Sequence, residues 1–181
     1  MTAMPEVREA MLAAIPSLRA FAISLTYNVD AADDLVQEAI LRGWANIEKF
    51  EAGTNMTAWL FTILRNAFYS QHRKAKSEVE DPSGFYADRL VTIPEQGARC
   101  DFEDLRTALA KLSVEHREAL ILIAAEGLSY EEAAQVCGVA LGTIKSRVHR
   151  ARERLGQLLA IDGAEDLGPD RITRAILQSA F

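Results

Sequence analysis

At 181 residues, with 49% hydrophobic and 25% charged side chains, the chain has an ordinary globular balance and room for one compact domain or two small ones, which excludes wholesale disorder and a fibrous class. No apolar run approaches the ~18 residues that span a bilayer, and Glu6 and Glu9 around Arg8 break any basic-then-apolar leader pattern, so a cytoplasmic protein with no membrane partner is expected. The net charge of −6 argues against nucleic acid only if it is evenly spread: Glu78 to Asp104 holds eight acids against Arg89 and Arg99 and alone equals the chain total, leaving basic clusters at Arg65 to Lys76 and Lys145 to Arg154 that could meet phosphates.

In chain order, Val7 to Tyr27, Asp30 to Glu48 and Asn55 to Lys76 carry apolar residues at helical spacing, with Gly53-Thr54-Asn55 as the clearest break. The second of these holds DDLVQEAILRGW, whose register leaves acidic and amide groups outside. A surface bearing Asp34, Gln37 and Glu38 cannot face DNA and suits a basic or polar protein partner. In the third, Thr54 or Asn55 can cap the helix. Leu60, Ile63, Leu64 and Ala67 form its core stripe, and Arg65, Tyr69, Arg73 and Lys76 lie opposite. Trp59, Phe61 and Phe68 lie on the flanks, where they either pack the core or stack on unpaired bases, a contact worth about 1 to 3 kcal/mol per base.

Glu78 to Cys100 lacks helical periodicity and contains Pro82, Gly84, Pro94 and Gly97, so it reads as a flexible acidic linker. Beyond it, Phe102 to Lys111, Glu115 to Ala125, Ser129 to Val136 and Gly142 to Leu159 are helical in pattern, with Gly127 and Gly138 marking ends. Ser129 and Glu132 form a capping-box signature. Gly138 supplies a turn, and the next helix aligns Ile144, Val148, Ala151, Leu155 and Leu158 on one face. Its outer face is polar and basic. This helix-turn-helix pattern offers Thr143, Lys145, Ser146, His149 and Arg150 to the major groove, with Arg147 at the flank. The tail from Ile161 holds Gly163, Gly168 and Pro169 and a short possible helix capped by Asp170. No alternating strand pattern competes, so the fold class is all-α, two small helical domains of which the second is a helix-turn-helix.

Cys100 and Cys137 have no CxxC partner or nearby His, so neither a disulfide framework nor a metal or other cofactor is expected. His72, His116 and His149 are scattered without a facing carboxylate or Cys, which argues against an enzyme and against a small-molecule substrate.

The runs DDLVQEAILRGW, NMTAWLFTILRNAFYSQHRK and LSYEEAAQVCGVALGTIKSRVHRARERL resemble, in order and separation, the three hallmark segments of extracytoplasmic-function (ECF) sigma factors of the sigma-70 family. The match covers roughly residues 8 to 160. GTNMTAWLFTILRNAFYS further resembles the alphaproteobacterial general-stress-response, EcfG-like, group. The resemblance implies a sigma-2-like domain at 1–76 that binds RNA polymerase core through Asp34, Gln37, Glu38 and Arg42. It would recognise and melt the minus-ten element through Asn55, Met56, Trp59, Arg65, Tyr69, Arg73 and Lys76. An acidic linker at 77–101 would run through polymerase toward the RNA exit path. A sigma-4-like domain at 102–160 would read the minus-thirty-five element of promoter DNA, followed by a tail at 161–181. Nothing resembles the additional domains of the large housekeeping factors, so promoter choice is expected to be stringent. Control by an anti-sigma factor (NepR-like), released by a PhyR-like response regulator acting as anti-anti-sigma, is implied as well.

Two rival readings stand beside it. A conventional helix-turn-helix regulator would usually carry a dimer or effector segment, and none is evident. A sigma mimic that binds only an anti-sigma protein has no need of DNA-facing cations such as Lys145, Arg147 and Arg150.

Overall fold

The structure, a computed structural model, describes residues 3–78 and 99–159, with side chains described for 6–74 and 104–159. Every regular element among them is helical. The chain divides into two compact units, Met1–Val91 and Thr92–Phe181.

In the first unit the single helix expected over Val7 to Tyr27 is two, α1 (Ala3–Ala13) and α2 (Ile15–Thr26). Pro16 lies in the first turn of α2, where its missing N–H costs no hydrogen bond, whereas inside a continuous helix its ring would clash with the preceding turn. Ala14 keeps helical dihedrals, and its carbonyl accepts from the Leu18 N–H at 2.9 Å, so the interruption is slight. Within Glu6–Thr26, across both helices, an 18-residue window has a mean hydropathy of 1.2, which by length and composition alone would suffice for a membrane span, although Glu6, Arg8, Glu9 and Arg19 interrupt the stretch. Met11, Leu18, Phe21 and Leu25 of this stretch are committed to the core, while Leu12 is exposed.

Helix α3 (Val29–Ala45) starts at Asn28, whose side chain accepts from the Ala31 N–H at 2.9 Å. A 3-10 turn (Ile47–Lys49) leads to α4 (Met56–Glu78). Helices α3 and α4 pack together, burying Leu35, Val36 and Ala39 of α3 and Leu60, Phe61, Leu64 and Ala67 of α4, and Phe21 sits edge-on to Phe61 with ring centroids 4.9 Å apart. Helices α3 and α4 approach closely at Gly43, where a Cβ would lie 2.9 Å from Leu60 Cδ2 and 3.3 Å from Met11 Cε.

The segment read as linker is helical at both ends: Ser77 and Glu78 close α4, and Arg99 opens α5 (Arg99–Ala110). The remainder of that stretch, 79–98, and the tail from 160 with its expected Asp170-capped helix lie outside the described residues.

The second unit continues with α6 (Val114–Ala124), α7 (Tyr130–Cys137) and α8 (Leu141–Leu158). The capping box is formed as the sequence predicts: Ser129 Oγ accepts from the Glu132 N–H at 3.1 Å, and Glu132 Oε2 accepts from the Ser129 N–H at 2.8 Å. Gly138 closes α7 at φ 63°, a left-handed conformation a side chain would resist, and turns the chain into α8. Ile144, Val148, Ala151 and Leu155 of α8 pack inward with Leu120 and Leu122 of α6. Arg117, buried on α6, donates from Nη1 to the carbonyls of Leu109 at 3.2 Å and Leu112 at 3.3 Å, so it satisfies the C-terminal end of α5.

Candidate nucleic-acid interface

The outer face of α8 follows from its inner one. At about 100° per residue, the stripe Ile144, Val148, Ala151, Leu155 leaves Ser146, His149, Arg150 and Glu153 on the far side, with Lys145 beside them. All five are exposed, and Thr143 is half-buried at the helix start. Ser146 Oγ donates to the Thr143 carbonyl at 2.9 Å, so its hydroxyl presents lone pairs outward. Over its length α8 carries five cations, Lys145, Arg147, Arg150, Arg152 and Arg154, against Glu153 alone. Arg154 turns aside to Gln157 at 3.1 Å. What remains is a helix held by its apolar side, with hydroxyl, imidazole and cationic groups on the other, a surface suited to phosphates and to base edges in the major groove.

Arg147 departs from the expected set. Its side chain is about four-fifths buried and reaches back to α6, where Nη1 lies 3.6 Å from Oε1 of the fully buried Glu118. It is not part of the outward face.

In the first unit, Arg65, Tyr69 and Arg73 fall within roughly 80° on α4, and Trp59 extends the arc to roughly 120°. Arg65 Cζ lies 4.6 Å from the Tyr69 ring centroid, a cation–π contact, and Arg73 is exposed. Trp59 is half-buried and leans on Phe50 with centroids 5.4 Å apart. The arc therefore offers two partly exposed aromatics and two cations, the pairing that unstacked bases on a charged backbone require. Phe61 and Phe68, left open between flank and core, are core residues. Met56 is one too. It lies roughly 180° around the helix from Arg65 and is buried, so its side chain does not join the arc. Asn55 is exposed at the helix start and its Oδ1 accepts from the Ala58 N–H at 3.2 Å, which makes it the cap the sequence offered as one of two. The Lys76 side chain lies outside the described residues.

On α3, Asp34 and Gln37 are exposed as read. Glu38 and Arg42 form an ion pair one turn apart, and Glu38 Oε2 also accepts from Gln71 Nε2 of α4 at 2.7 Å. The sequence reading missed two members of this surface. Leu41 is 63% exposed and Trp44 is 45% exposed, and with Asp34 and Gln37 they form a single stripe at helical spacing. The spacing was there to be read: Leu41 is four residues beyond Gln37 and Trp44 seven.

Among the described residues no group of three His, Cys, Asp or Glu side chains is placed to hold a metal ion.

Comparison with known proteins decides the family. Residues 11–78 match the model of sigma-70 region 2, and residues 102–155 match that of sigma-70 region 4. The chain is 59% identical over 171 residues to the ECF RNA polymerase sigma factor EcfG of Rhodopseudomonas palustris, covering 94% of each chain. It belongs to the ECF sigma factors. Among solved structures, this sigma factor is similar to RpoE of Bartonella quintana in its complex with the anti-sigma factor NepR. The TM-score there is 0.78, the identity 51%, and 87% of this chain and 98% of that one are covered. It shares its fold, at 21% identity and a TM-score of 0.61, with the PhyRSL–NepR complex from Sphingomonas sp. Fr1, covering 85% of this chain and 90% of that one. Region 4 is the part that holds the helix-turn-helix, and region 2 the part that holds α3 and α4.

Proposed function

We propose that this sigma factor brings RNA polymerase core to its promoters from within the cytoplasm, contributing binding and strand separation while polymerase supplies the chemistry. Residues 102–160 act as the minus-thirty-five reader, with Thr143, Lys145, Ser146, His149 and Arg150 against the DNA. Residues 1–76 act on the minus-ten element through Asn55, Trp59, Arg65, Tyr69 and Arg73, with Lys76 continuing the arc. The α3 stripe of Asp34, Gln37, Leu41 and Trp44, beside the Glu38–Arg42 pair, docks on polymerase. By its likeness to the NepR-bound RpoE, a NepR-like anti-sigma factor holds the protein inactive, and a PhyR-like regulator relieves it in a stress response.

The observation that carries this reading is the division of labour between helices. One offers a polar face on which cations outnumber its one acid, Glu153, suited to closed duplex, and the other combines cations with half-exposed aromatics suited to bases out of the stack.

Run-off transcription with core polymerase on a promoter library, with and without this chain, tests it. Chain-dependent transcripts are expected, and their absence sinks the proposal. In the same assay Trp44→Ala should weaken association with core polymerase by about 2 kcal/mol, roughly thirtyfold, as a half-exposed aromatic anchor does. Unchanged association would remove α3 from the docking surface.

A further inference from the structure

Glu118 is a carboxylate with no exposed surface on a helix that touches no DNA in the proposed arrangement, and a charge in that position is costly unless it is compensated. One of its partners is Arg147, which projects from the recognition helix itself. Around α8, Arg147 lies between two functional directions: roughly 40° from Thr143 and 60° from Arg150 on one side, and about 70° from the centre of the apolar stripe on the other. Ile144, Val148, Ala151 and Leu155 form a stripe about 60° wide that seats the helix on its core side. The contact between Arg147 and the Glu118 carboxyl lies outside that stripe and adds a second constraint on the rotation.

We propose that Glu118 is a positioning residue for promoter recognition, acting through Arg147 to set the rotation of α8 and so to aim Thr143, Lys145, Ser146, His149 and Arg150 at the bases. The lever is short but sufficient. On a side-chain radius of about 6 Å a rotation of roughly 10° moves a tip by about 1 Å, which is enough to spoil a bidentate base contact held within the usual hydrogen-bond range. Neither group needs to touch DNA. At 3.6 Å the pair is beyond direct hydrogen-bonding distance, so its action is electrostatic, strengthened by the low local dielectric around a buried group.

The inference rests on region 4 reading the minus-thirty-five element, and its test separates the two. The full chain with core polymerase is run on the best promoter from the library and on its single-base variants in the minus-thirty-five element, comparing wild type, Glu118→Gln, Arg147→Gln and the double variant. Thermal unfolding is followed in parallel, and all are assayed at a temperature where each is folded. Either single change should reduce discrimination between the best promoter and its variants by roughly fivefold or more, and the double change should cost no more than the worse single one. A purely structural role would lower the unfolding temperature and leave the base ranking unchanged, which overturns the proposal. A loss for Arg147→Gln alone, with the salt dependence falling by about one phosphate contact, would make Arg147 a DNA contact and overturn it equally. Should Glu118→Gln fail to fold, Arg147→Lys takes its place: it keeps the charge through which the pair acts, so it should retain most of the discrimination that Arg147→Gln loses, and a loss as large as that of Arg147→Gln would overturn the proposal. No transcript from wild type would instead overturn the promoter reading, and this inference with it.

Discussion

Arg19 of α2 holds Asp33 of α3 with two contacts, Nε to Oδ1 at 2.6 Å and Nη2 to Oδ2 at 3.2 Å. Those hydrogen bonds, with the guanidinium charge behind them, keep the Asp33 carboxyl below its usual range and raise Arg19 above its own. A carboxyl depressed in the folded state stabilises the fold above its unfolded value of about 3.9, and that contribution disappears as pH falls through the lower folded value. Arg19 stays charged throughout and adds no slope near neutrality. Asp33→Asn should therefore lower the urea midpoint of the first unit at pH 7 by a small amount, since the pair is exposed. The gap to wild type should close as pH drops below about 4. Tryptophan fluorescence reads it cleanly, because Trp44 and Trp59, the chain's two tryptophans, both belong to that unit. A gap that does not narrow as pH falls below about 4 would mean the pair is not its source.

At the scale of elements, Gly43 sets the distance between α3 and α4. Alanine there would gain about 1 kcal/mol in helix propensity, but its Cβ would press on Leu60 and Met11, both buried and closely packed, at an overpacking cost of about 1 to 3 kcal/mol. The second term should win. Gly43→Ala is expected to destabilise the first unit by about 1 kcal/mol, seen as a lower urea midpoint by tryptophan fluorescence. An unchanged or higher midpoint would show that the two side chains yield. Helix identity, the capping box at Ser129, the cap at Asn55 and the outer face of α8 were legible in the sequence, because each depends on residues within a few positions of one another. What escaped depends on residues far apart. The turn of Arg147 toward the core is decided by Glu118, 29 positions earlier. The burial of Met56 is decided by the helices packed over the start of α4, and the exposure of Leu41 and Trp44 by the lack of any described helix over that part of α3. Pro16 was visible but was absorbed into one long periodic run, since the apolar spacing passes through it almost undisturbed.

For the whole molecule, the net charge of −6 and the cationic faces act over different distances. At contact, the cations of α8 and α4 dominate; further out, DNA meets an anion, and the acids from Glu78 to Asp104 account for all of the excess. The Debye length is about 8 Å at physiological salt and about 30 Å at 0.01 M, so charges more than a Debye length from the DNA are felt only at low salt. Replacing Glu80, Asp81, Asp88 and Glu95 by their amides should therefore raise affinity for a random-sequence duplex severalfold at about 0.01 M salt and by less than about twofold at 0.15 M. Fluorescence anisotropy of a labelled duplex titrated with the full chain measures both. An equal gain at the two salt concentrations would mean that these carboxylates lie against the DNA-facing surfaces, within a Debye length, and compete there with phosphate for the same cations. The unequal gain expected here makes the acidic segment a long-range repeller. In that role it suppresses non-specific binding of the free sigma factor, and the contact faces that read a promoter with polymerase keep their strength.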